Sequence, residues 1–154
     1  MSSAVVNTYK CVDRFPGASR YCCSVVFPVV AADIGSPILA TVVQPYEHDG
    51  VVEDRIVDVS SLSFSVSANV SDGDVVFASG EIGVFDTAGN VNVLSGKYVV
   101  PFDQGVVDVG DCGGALVVAQ GNVFGVKLNL SGSSSALRGC VCVNFEFSLV
   151  GHSL

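Results

Sequence analysis

The sequence predicts an all-β protein, and three observations carry that prediction. Nearly half of its 154 residues are apolar (49%), with valine the most frequent of them. The apolar residues come in short runs separated by Gly, Ser, Asp and Asn, the composition of strands joined by turns. Over Ser61–Val70 apolar and small polar residues alternate with a period of two, as they do in a strand with one buried face. Helix is nearly absent from this reading, and no heptads or internal repeats occur.

The elements follow in order. Residues 1–20 read as an irregular, solvated N-terminal arm that holds three of the seven basic residues, Lys10, Arg14 and Arg20. Strands are expected over Tyr21–Val30 and Pro37–Gln44, broken by the turn formers at 32–36. The hairpin-like loop Pro45–Gly50 leads into Val51–Val59 and then Ser61–Val70. Ser71-Asp72-Gly73-Asp74 packs turn formers between two periodic stretches and is the natural boundary. Beyond it lie Val75–Ser79, Glu81–Phe85, Val91–Val93 with Lys97–Val100, Ala115–Ala119, Asn122–Leu130 and Cys140–Phe147. Hairpin turns are expected at 88–90 and 120–122. The division is therefore an arm (1–20), a first β half (21–71) and a second β half (72–154), and the even spacing favours a closed barrel.

Size allows one compact domain or two small barrels sharing a core. A net charge of -8 argues against general nucleic-acid binding, which needs clustered Lys and Arg to displace counterions from phosphate. No run approaches the roughly 18 apolar residues of a membrane span, and MSSAVVNTYK lacks the basic-then-apolar pattern of a secretory signal. A soluble, unsecreted protein without a membrane partner is expected. The six cysteines (11, 22, 23, 112, 140 and 142) lack the even spacing of a disulfide framework, and the adjacent pair Cys22-Cys23 suggests reduced thiols.

One segment carries chemistry. Gly110-Asp111-Cys112-Gly113-Gly114 precedes the apolar strand Ala115-Leu116-Val117-Val118. Glycines on both sides of a reactive residue let the backbone turn sharply, exposing the side chain and pointing consecutive amides into one concavity where an oxyanion can develop. A thiolate at its centre attacks a carbonyl readily once a base or positive dipole lowers its pKa. The alternative is an ordinary glycine-rich turn holding a buried thiol.

The segment resembles the nucleophile motif of the chymotrypsin-like cysteine proteases of picornaviruses and related positive-strand RNA viruses. Gly110–Phe145 is similar to the end of that fold: nucleophile, strand, Gln-Gly-Asn turn, Val123-Phe124-Gly125-Val126-Lys127, a small-residue loop, then Arg138-Gly139-Cys140-Val141-Cys142. The layout is also similar to that of the alphavirus capsid proteases, and the resemblance covers residues 72–147. It implies a two-barrel chymotrypsin/trypsin-like fold with a reduced N-terminal barrel, with Cys112 as nucleophile and the amides of Gly110 and Cys112 as oxyanion hole. It further implies a viral endopeptidase cleaving a viral polyprotein or host protein in the host cell cytoplasm, without a cofactor.

Such an enzyme needs a histidine base, and the sequence has only His48 and His152. In one register Asp58 occupies the acid position, and Val25–Ala31, where the base belongs, contains no histidine. That describes a degenerate protease, a fold kept as a viral structural or host-interaction domain. In the other register His48 is the base, with Asp54 or Asp58 orienting it, or else His48 is a plain loop histidine. His152 reads as a tail residue. The family's pocket strand corresponds to Gly125-Val126-Lys127, so Lys127 either pairs with an acidic substrate side chain or simply reaches solvent from a barrel rim. Some relatives hold zinc through Cys-x-Cys pairs; Cys140-Val141-Cys142 has that spacing without a second pair, and buried thiols rather than a metal site are expected.

Overall fold

The computed structural model describes residues 4–11, 19–69, 75–86, 91–101, 106–110, 116–150 and 154. Twelve strands and one short 3-10 helix account for nearly all of them. The strands are β1 (Val5–Lys10), β2 (Ser19–Val30), β3 (Ile38–Val43), β4 (Tyr46–His48), β5 (Val51–Glu53) and β6 (Arg55–Asn69). They continue with β7 (Val75–Asp86), β8 (Val91–Pro101), β9 (Val106–Gly110), β10 (Leu116–Val118), β11 (Asn122–Ser133) and β12 (Arg138–Val150). The all-β expectation holds. Among the described residues no helix is long and apolar enough to cross a membrane.

Alternation explains why the longest strands form where they do. In β2, Tyr21, Cys23, Val25, Phe27 and Val29 are buried while the residues between them are half-buried. In β12, Val141, Val143, Phe145, Phe147 and Leu149 are buried, and the residues between them are half-buried or, at Asn144, exposed. Successive side chains of a strand leave opposite faces, so each strand presents one apolar row. The rows of β2 and β12 lie side by side in one sheet and meet the apolar rows of the second sheet in a single core. One sheet runs β1-β2-β12-β6 with β9 and β10 both on the far side of β6; the other runs β3-β11-β7-β8. Their buried residues form one continuous cluster.

The pairing order is nested. β2 pairs with β12, β3 with β11, β6 with β9 and β10, and β7 with β8, all antiparallel. The chain is thus doubled back on itself between β7 and β8, and the resulting long double ribbon is rolled so that consecutive pairs fall alternately into the two sheets. The additional β12–β6 and β11–β7 ladders join the rolled pairs side by side. This is the connectivity of a jelly roll, two sheets of four principal strands each. The boundary expected at 71–72 runs through both sheets, because β12 lies between β2 and β6. The expected N-terminal arm includes β1, which extends the first sheet beyond β2.

Local chemistry fixes the crossovers. Between β2 and β3 the helix Ala31–Asp33 is tied by Asp33, buried, whose carboxylate accepts the Val30 N–H at 2.9 Å. Between β3 and β6 the chain leaves the sandwich as the β4–β5 ribbon. Asp49 and Gly50 turn it with φ of 50° and 78°, the positive pair that a two-residue type I′ hairpin requires. Arg55 holds the base of the ribbon: its guanidinium donates to the Gln44 carbonyl at 2.9 Å and lies over the Tyr46 ring at 5.6 Å.

Aromatic rings close the core between the sheets. Phe124 of β11 meets Phe145 edge-on and Phe147 at a tilt, each at 5.9 Å, and Tyr21 stacks on Phe147 at 5.3 Å. Beside Phe124, Gly125 lets β11 and β3 approach closely at a register shift, and a Cβ there would drive into the Ala40 carbonyl. Phe124→Ala is expected to cost about 3–5 kcal/mol and Gly125→Ala about 1–3 kcal/mol. Urea unfolding of both variants checks this; a wild-type midpoint for Gly125→Ala would contradict the close approach.

Candidate functional site

Cys112 lies outside the described residues, as do Asp111, Gly113, Gly114 and His152. The flanks of the motif are placed. Gly110, the last residue of β9, registers with Leu62 of β6, and Leu116, the first of β10, registers with Val57. Both flanks therefore sit on the same edge of β6, and Asp58 falls on the β6 segment between their two registers. Its neighbours Val57 and Val59 are buried, so alternation sends the Asp58 carboxylate to the outer face, where it is exposed opposite Ser148 of β12.

His48 is elsewhere, at the tip of the β4–β5 ribbon. Its side chain is 71% exposed, its Nε2 lies 3.2 Å from an Asp49 carboxylate oxygen, and its ring is parallel to that of Tyr46 at 6.4 Å. The carboxylate that His48 meets is that of its chain neighbour, not Asp54 or Asp58. Asp54 is exposed in the link between β5 and β6. A base that works in catalysis has to be oriented within reach of the proton it takes; the described partner of His48 is Asp49, on the exposed ribbon.

Lys127 belongs to the other sheet. It is half-buried on β11, between core-facing Val126 and Leu128, so it points away from the core. Glu81 of β7 stands directly opposite it, and Leu39 of β3 on its other side. Opposite charges at directly paired positions stabilise a sheet by roughly 0.2–1 kcal/mol, a sufficient structural reason for a lysine here. The Gly125-Val126-Lys127 strand and the flanks of the Cys112 motif thus belong to different sheets.

Among the described residues, a compact group of chemically active side chains that the sequence did not reveal is Cys11, Cys22 and Glu146. Their ligating atoms lie within 4.8 Å of one another, and all three residues are half-buried. Cys22 is flanked in register by Tyr9 of β1 and Glu146 of β12. The Cys22 thiol donates to a Glu146 oxygen at 3.8 Å, and the other Glu146 oxygen accepts from Arg20. Cys140 and Cys142 are half-buried on the same outer face, in register with Pro28 and Val26. Cys23 alone of the described thiols is in the core, where burial raises its pKa against the lowering effect of the Thr8 hydroxyl.

No protein-family model and no curated protein matches the chain. Among solved structures, it is similar to one of the Gt strain of infectious bursal disease virus, at 12% identity and a TM-score of 0.29, over 97% of this chain and 38% of that one. It is also similar to a mutant VP2 protein of infectious bursal disease virus in derived T=1 particles, at 13% identity and a TM-score of 0.25, over 96% of this chain and 35% of that one. The chain spans little more than a third of the length of these proteins.

The Cys22 thiol is pushed from 9.0 up to about 11, first by its hydrogen bond with Cys11, then by partial burial, then by the charges of Cys11 and Glu146. A raised folded-state pKa means that the protonated thiol is the form the fold favours. Its contribution is fully present below pH 9.0 and is lost as the pH rises through 11. Denaturant midpoints of the metal-free chain are expected to fall between pH 9 and 11, and less steeply in Cys22→Ser. Equal falls in both proteins would refute the assignment.

Proposed function

We propose that the chain is a structural module of the viral-shell type, a jelly-roll sandwich that works by associating with protein surfaces and not by catalytic turnover. The observation that carries this reading is the nested pairing of β2 with β12, β3 with β11, β6 with β9 and β10, and β7 with β8. That connectivity is used by capsid and lectin domains. Function has to be argued from sites as well as from fold, and the placement of the catalytic candidates supports the same conclusion. His48 is exposed on a ribbon outside both sheets, paired to Asp49, while Asp58 and Lys127 lie in different sheets. With a net charge of -8, protein is favoured over nucleic acid as the partner. Valine and tyrosine on the outermost strand β1, with Val5 and Tyr9 both exposed, supply apolar surface at a sheet edge.

A second reading, the two-barrel cysteine endopeptidase acting on a polyprotein, is favoured by one observation. Gly110 and Leu116, the described flanks of the Cys112 motif, register with Leu62 and Val57 on either side of Asp58 on β6. The base that this reading assigns, His48, is exposed on the β4–β5 ribbon beside Asp49.

The two readings separate in one set of measurements on the reduced chain. Sedimentation velocity over a hundredfold concentration range is expected to show closed oligomers accumulating, equally in wild type and Cys112→Ala. Peptide hydrolysis and acylation by activated esters are expected at background rates. A strict monomer that is acylated at Cys112, with the acylation abolished by His48→Ala, would replace the assembly reading with the endopeptidase.

A further inference from the structure

We propose that Cys11, Cys22 and Glu146 form a three-ligand site for a thiophilic divalent cation of the zinc class, fastening the outermost strand β1 to β2 and β12. The site arises from strand register. Cys22 has Tyr9 on one side and Glu146 on the other. Cys11 follows β1 and continues its ladder, its N–H donating to the Arg20 carbonyl at 2.8 Å. It therefore stands two residues from Tyr9 on the same face, diagonal to Cys22. The neighbours of Cys22 and Glu146 along their strands, Tyr21, Cys23, Phe145 and Phe147, are buried, so both ligands are on the outer face of the sheet.

The geometry suits a tetrahedral ion. Thiolates at about 2.3 Å and a carboxylate oxygen at about 2.0–2.2 Å from zinc put ligand atoms roughly 3.5–3.8 Å apart. The Cys22 sulfur and the Glu146 oxygen are already at 3.8 Å, and the whole group lies within 4.8 Å, so a contraction of about 1 Å or less brings all three ligand atoms to bonding distance of one ion. Half-burial leaves a fourth position for water. Two sulfurs select zinc-like ions over magnesium or calcium, which take oxygen ligands.

Arg20 gives the site its outer shell. By holding one Glu146 oxygen it leaves the other facing the thiols, the orienting role that carboxylate ligands commonly receive from a hydrogen-bonding neighbour. Charge also closes: two thiolates and one carboxylate are balanced by a divalent ion and the guanidinium. Metal-free, Cys11 and Glu146 together disfavour the Cys22 thiolate; a bound cation reverses the sign of that field and takes the place of the thiol protons. This site is independent of the assembly reading and of Cys112.

The test uses the full chain, reduced with a phosphine, titrated with Co(II) and then with Zn(II). One cobalt per chain is expected, with a thiolate-to-cobalt charge-transfer band in the near ultraviolet that zinc abolishes stoichiometrically. Cys11→Ser and Cys22→Ser should each lose the band, the double variant Cys140→Ser/Cys142→Ser should keep it, and Arg20→Ala should keep it with affinity weakened about 10–100-fold. No band in wild type, a band unchanged in both single variants, or one lost in the double variant overturns the proposal. Should a serine variant lose its β circular dichroism, the cadmium-113 resonance of the wild-type chain decides instead, since its shift reports the number of sulfur ligands. Two sulfurs support the site; one or none overturns it.

Discussion

The contact between Phe124 on one sheet and Phe145 and Phe147 on the other is the constraint from which the remaining architecture follows. A strand slipped by one residue moves every side chain to the opposite face, and the rings at this junction tolerate no such slip. β12 carries two of them and is paired on both sides, so fixing its face fixes the faces of β2 and β6 as well. The same parity that sends Phe145 and Phe147 inward sends Glu146 outward. The outer cluster with Cys22 is thus a by-product of core packing.

Among the described residues, the candidate groups read from the sequence are distributed over outer surfaces. The carboxylate of Asp58, the ammonium of Lys127 and the imidazole of His48 each have a separate local setting: the edge region of one sheet, the outer face of the other, and the tip of a ribbon. Hydrolysis through an acyl-enzyme needs these groups to converge on one reacting carbon. Association with another protein surface needs only that they be displayed.

How much of this was legible in the sequence depended on whether the determining contacts were local. The apolar alternation of 21–30, 122–130 and 140–147 located β2, β11 and β12, each of which the structure extends by up to three residues at an end. Asp49-Gly50 fell in the expected hairpin loop, because the positive φ values it adopts are a local preference. β6 was harder: it runs unbroken from Arg55 to Asn69, although the sequence suggested separate strands over 51–59 and 61–70. The reason is a register shift: Phe147 pairs with Val59 and Phe145 with Leu62, so the partners of core-facing β12 residues switch from odd to even positions. Such a bulge breaks the period without breaking the strand. β1 and the Cys11–Cys22–Glu146 group were missed for a different reason: β1 is set by its pairing with β2 across the intervening residues rather than by its own apolar alternation, and the cluster exists only because Glu146 pairs with Cys22 across more than a hundred residues of chain. The rolled connectivity is likewise non-local, and the glycine-flanked cysteine, a local feature, pointed to another β architecture.

The placement of β12 also bears on how the molecule comes into being. β12 occupies the middle of its sheet, yet it is translated more than a hundred residues after β2 and about seventy after the end of β6. At roughly 5–20 residues per second, β2 and β6 emerge from the ribosome several seconds before the strand that belongs between them. During that interval their inner edges have open hydrogen-bonding groups and their valine rows lack a partner. The nested order makes the native sandwich a late, concerted closure with long-range pairing throughout, the topology associated with slow folding, and it places the period of greatest aggregation hazard on the nascent chain.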